Sequence, residues 1–149
     1  MSDSTQDTIE HIRKVQHFIN EVLSDLARRA INHDASKLME PEKSGYDRLT
    51  ADLKDIVYGS DEYRAALVAA KPVIEHHYQV NSHHPEHYHD GIAGMSLLDV
   101  VEMLCDWKAA SERTKQGSIG ASLVHNKQRF GIDDQLYSIL VNTVAELGW

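Results

Sequence analysis

The chain has 149 residues, the size of one domain with one sizeable core. Its 15 Lys plus Arg against 23 Asp plus Glu give a formal charge of -8 with no dense basic cluster. Nucleic acid is therefore disfavoured as a partner, while a single nucleotide is not. No apolar run approaches the ~20 residues of a membrane span. The N-terminal residues lack the basic and apolar regions of a signal peptide. A single cysteine, Cys105, excludes an internal disulfide and any multi-cysteine zinc site. The expectation is one cytoplasmic domain with no membrane partner.

Periodicity reads as helix nearly throughout, so the expected class is all-α with six to seven helices. Asp7 and Glu10 form a capping-box-like start, and Ile9, Ile12, Val15, Ile19 and Val22 then recur at helical spacing, predicting a helix from about Thr8 to Leu23. Ser24 and Asp25 offer a new cap, which predicts a second short helix from Ala27 to His33, ending before Pro41. Further helices are read over Gly45 to Val57, Asp61 to Ala70, and from Pro72 through His77 to about Asn81. A histidine-rich loop follows from Ser82 to Gly94. Ser96 and Asp99 then open an apolar helix to about Arg113. Gly117 and Gly120 mark a loop, and a last helix runs from Asp133 or Asp134 to Gly148.

The abnormal feature is ten histidines, six of which (His76, His77, His83, His84, His87 and His89) fall within fourteen residues. Imidazole and carboxylate together suit a divalent cation, so His33-Asp34 is a candidate pair provided the backbone turns to bring both side chains together. His11 borders the apolar stripe of the first helix and would lie level with His33 if the chain reversed near Val22. On one continuous rod the two would instead be ~33 Å apart. His17 reads as a surface residue, and His87, His89 and Asp90 as a loop rim. Asp99 is accounted for by its cap. Asp106, between Cys105 and Trp107, would be costly to bury without a cation or histidine beside it. Glu102, one turn earlier, is a candidate to orient an imidazole or accept a proton. Cys105 reads as packing. No serine-nucleophile, phosphate-loop or dinucleotide glycine pattern occurs, which leaves water activated by a metal as the chemistry with candidates in place. A solvated histidine cluster is the bland alternative.

In order, His11, the His33-Asp34-Ala-Ser-Lys37 block, the His83-His84 doublet and Asp106 resemble the HD-domain metal-dependent phosphohydrolases. His33-Asp34-x-x-Lys37 is similar to the His-Asp-x-x-Lys of the HD-GYP branch, and His83-His84-Pro-Glu86 to its His-His-Glu segment. The Gly-Tyr-Pro triplet of that branch is absent, with Asp90-Gly91-Ile92 near its place. The chain is also similar to a small group of phage and bacterial HD-like proteins. The resemblance implies an HD-like helical bundle over residues 1–149, with a catalytic core at about 8–113 and a helical extension at about 114–149. It implies one or two divalent ions (Mn, Fe, Co, Zn or Mg), with His11, His33, Asp34 and Asp106 on one and His77, His83 and His84 on a second bridged by Asp34. Lys37 would neutralise phosphate charge, and Glu102 or Glu86 would accept a proton from water. The substrate implied is a nucleotide or other small phosphorylated molecule. Alternatives are an HD-type di-iron oxygenase, or a non-catalytic protein that uses the metal for stability while binding a nucleotide.

Overall fold

A computed structural model describes residues 3–54, 56, 57, 59–113 and 116–149. Among them are seven α-helices, three short 3-10 turns and no strand, so the all-α class holds. No helix among these residues is long and apolar enough to cross a membrane. The chain divides into two compact units, Met1–His33 and Asp34–Trp149.

The first unit is essentially one helix, α1 (Thr5–Asn32), of 28 residues. The reversal near Val22 that a metal shared by His11 and His33 would require is absent. Ser24 and Asp25 do not cap a new helix, because Asp25 instead pairs with Arg28 and Arg29 one turn ahead, a geometry that supports a continuing helix. No residue of α1 is buried.

In the second unit, α2 (Glu42–Leu53), α3 (Asp61–Ala69) and α4 (Lys71–Val80) pack on one another, and α2 also contacts the 3-10 turn Ala35–Leu38. α2 approaches α4 closely at Gly45, where a Cβ would stand 2.6 Å from Val73 Cγ2. Only hydrogen fits there. The rest of the unit is built on α5 (Leu97–Ser111), α6 (Ile119–Phe130) and α7 (Asp134–Glu146).

Their core joins Val100, Met103 and Leu104 of α5 to Ile119 and Leu123 of α6, Ile132, and Leu140 of α7. Trp107 stacks on Phe130 beside it, with ring centroids 6.1 Å apart. Residues beyond 113, read from sequence as an extension, thus complete the core on which α5 rests. α6 falls where the sequence reading had a loop. Gly120 lies in its first turn, where the glycine penalty of ~1 kcal/mol is offset by the Ser118 cap and by burial of Ile119 and Leu123.

Candidate metal centre

Asp34 is the only described non-glycine residue with positive φ, at 57°. This left-handed conformation, tolerated by aspartate better than by most residues, turns the backbone directly into the 3-10 turn Ala35–Leu38. That turn sets Lys37 one turn on, and its Nζ lies 2.6 Å from Asp34 Oδ2. The spacing His-Asp-x-x-Lys therefore corresponds to a real ion pair.

His77 occupies the buried face of α4, at 1% exposure. Its Nδ1 lies 2.8 Å from Oε2 of Glu42, a fully buried carboxylate on the first turn of α2. A carboxylate only accepts, so Nδ1 carries the proton in the neutral ring and Nε2 carries the lone pair. Glu42 also takes a hydrogen bond from Ser36 Oγ at 2.8 Å and meets His76 Nδ1 at 2.9 Å. Asn81 Nδ2 donates to Ser36 Oγ and to the His77 carbonyl, both at 2.8 Å. Burial alone would raise the Glu42 pKa, but the hydrogen bonds from Ser36, His76 and His77 outweigh it and hold the carboxyl below its ordinary value.

His77 Nε2 faces Asp34 Oδ1 at 3.1 Å and His84 Nε2 at 3.0 Å. His83, also buried, reaches the same carboxylate oxygen with Nε2 at 3.6 Å, while its Nδ1 lies 3.3 Å from Glu102 Oε1 on α5. Each of these two rings thus has a carboxylate behind it and turns its other nitrogen toward Asp34. Asp34, His77, His83 and His84 each offer one ligand atom, and all four atoms lie within 4.8 Å of one another. Burial, followed by the neighbouring His83 and His77, pushes His84 down to about 3, against the smaller upward pulls of Asp106 and Asp34. A ring kept neutral retains a lone pair for a cation.

The doublet is presented by irregular backbone, since α4 ends at Val80 and His83 and His84 lie in the turn before Pro85–His87. Asp99 anchors that turn to α5. Beyond its capping box with Ser96, it accepts from Ser82 Oγ at 2.7 Å and from Tyr88 Oη at 2.9 Å, so one buried carboxylate ties both sides of the histidine-bearing segment.

The other expected residues fall as follows. His33 ends α1, with φ -52° and ψ 126° taking the chain out of the helix before Asp34. His11 is exposed on α1, and because α1 is continuous it lies ~33 Å from His33 along the rod, so the expectation that the two share an ion fails. Asp106 lies one turn beyond Glu102 on α5, close enough for its charge to be felt at His84. Glu86 accepts from Arg129 Nη2 of α6 at 2.6 Å. Cys105 is exposed, not packed. His87 and His89 are exposed, as a loop rim should be.

Sequence reasoning missed Glu42, which sits 35 residues from its imidazole with no motif between them. The available signal was a carboxylate in the first turn after a proline, one turn before the glycine at position 45 that allows close helix packing.

No curated protein and no solved structure matches the chain. A model of the DUF5662 family, described as a family of unknown function, matches residues 1–146, and the chain belongs to that family.

Proposed function

We propose that this protein is a metal-dependent phosphohydrolase acting on a nucleotide or another small phosphate ester. The observation that carries the reading is the convergence of Asp34, His77, His83 and His84, whose ligand atoms lie within 4.8 Å of one another. The donor set fits a divalent cation: three imidazoles and a carboxylate, with Glu42 and Glu102 behind two of the rings to fix their orientation. With Nδ1 turned to Glu42, Nε2 of the neutral ring presents its lone pair toward Asp34 Oδ1 at 3.1 Å, an arrangement suited to a cation. Such an ion supplies Lewis acidity and lowers the pKa of a bound water.

The chain's own groups do the rest. Lys37, held by Asp34 and 5.2 Å from the centroid of the Tyr46 ring, brings a compact positive charge suited to a phosphate oxygen. Glu102 orients His83 and is a carboxylate able to take a proton from water. The overall charge of -8 favours a small substrate over a polyanion. The likeness of the His33-to-Lys37 block and of the His83-His84 doublet to HD-domain phosphohydrolases supports the same reading.

The test is metal analysis of untagged protein beside phosphate release from a panel of nucleoside mono- and triphosphates with manganese, cobalt or magnesium. Stoichiometric metal with release from one substrate class is expected, and both should vanish in His77→Ala. Bound metal with no release from any ester would overturn the hydrolase.

A further inference from the structure

We propose that α1 pairs with α1 of a second copy of this chain, in antiparallel orientation. An amphipathic helix of this kind draws its stability from packing one face against a partner, and among the described residues the first unit holds no second element that could supply one. Ile12, Val15, Ile19 and Val22 are all exposed, and their spacing of three, four and three residues is the seam of a two-helix pair. Such a seam fixes a register, and the residues beside it choose the direction.

In the antiparallel register that stacks Ile12 on Val22 of the second copy, Val15 meets Ile19 of the second copy and the reverse. Phe18, exposed beside the seam, then faces Phe18 of the second copy, and Ile9 faces Leu23 of the second copy. Every exposed apolar side chain of the stripe so gains an apolar neighbour. A parallel pair would instead leave Ile9 opposite Ser4, before the helix begins.

The charges agree. Along the flank shared with Phe18, the antiparallel register sets Asp7 toward Arg28 of the second copy and Lys14 toward Glu21 of the second copy, opposite signs in all four symmetric positions. A parallel pair would range each charge beside its own kind. The occupant that the stripe fits is therefore a second copy of itself, joined by a two-fold isologous contact.

The test uses the full chain with Cys105→Ser, so that introduced thiols report alone. Light scattering at tens of micromolar is expected to give a dimer, and Ile19→Glu a monomer with its helical circular dichroism largely kept. Under mild oxidation Phe18→Cys should form a disulfide-linked dimer and Ile12→Cys should not, since position 12 lies ten residues from its own symmetry mate in this register. A monomeric parent, or a dimer indifferent to Ile19→Glu, overturns the pairing. Cross-linking at position 12 without cross-linking at 18 overturns the antiparallel direction. None of these outcomes depends on the metal centre.

Discussion

Glu42 and His77 stand 35 residues apart in the chain, yet Oε2 of the one lies 2.8 Å from Nδ1 of the other, with both side chains buried. This contact decides which nitrogen of His77 keeps its lone pair, and so what the ring can do toward Asp34 and His84. Replacing the acid should therefore act at a distance. Glu42→Gln is expected to weaken binding of manganese or cobalt by ~10–100-fold, as loss of a carboxylate behind a ligating histidine typically does. Titration calorimetry reads that change directly. Glu42→Ala should in addition cost about 1–3 kcal/mol in urea denaturation of the metal-free protein, because His76, His77 and Ser36 lose their shared acceptor. Unchanged cation affinity in Glu42→Gln would leave Glu42 as a packing residue only.

Asp34 carries two separable burdens, a left-handed backbone at φ 57° and a carboxylate facing His77 and His83. Asparagine tolerates that backbone where alanine does not. Asp34→Asn and Asp34→Ala should both abolish cation binding and phosphate release with little loss of helicity. Alanine should be the less stable of the two by about 1 kcal/mol. Calorimetry and denaturation on the two variants separate the effects, and activity retained in either variant would remove Asp34 from the centre.

Part of this arrangement was legible in the sequence. The block from His33 to Lys37 announced itself because the residues that interact lie within one helical turn, and Asp34 and Lys37 do pair. The Ser96 and Asp99 capping box is likewise local, and it forms as read. What could not be read depends on chain sent elsewhere. Glu42 meets His77 across α2 and α4, two helices that pack closely at Gly45. α1 runs on past Ser24 and Asp25 because Asp25 found arginines at i+3 and i+4, and a residue able to cap is no stop signal when such partners are present. α6 was hidden by Gly120, whose cost is outweighed by core burial that the local sequence does not display.

The pH dependence of the metal-free fold follows from His84. Burial and the two neighbouring imidazoles hold its pKa at about 3 in the folded chain, whereas in the unfolded chain it takes a proton near 6.5. Between those values the unfolded state binds the extra proton, so stability is full above about 6.5 and falls as the pH drops toward 3. Urea denaturation at pH 7.5 and at pH 5, in the presence of a chelator, should show a loss in the parent that is smaller in His84→Gln. Equal losses would mean that His84 is not held neutral.

Gly45 offers a test of the scaffold in isolation from the chemistry. In the middle of an exposed helix, glycine to alanine gains up to ~1 kcal/mol from propensity, and α2 would ordinarily welcome it. Here the new methyl would stand 2.6, 2.8 and 2.9 Å from the three branch atoms of Val73, which belong to a stiff β-branched side chain on α4. Overpacking of this kind typically costs 1–3 kcal/mol, which exceeds the propensity gain. Gly45→Ala is therefore expected to destabilise the protein by about 1–2 kcal/mol and, by pushing α2 off α4, to lengthen the contacts of Glu42 with His76 and His77. Cation affinity should fall in step. The double variant Gly45→Ala with Val73→Ala removes both γ-methyls but keeps the Val73 Cβ at 2.8 Å, so it should recover part of the affinity lost in the single one. Recovery would tie the metal centre to the spacing of these two helices, and a failure to recover would mean that α2 positions Glu42 by contacts other than this one.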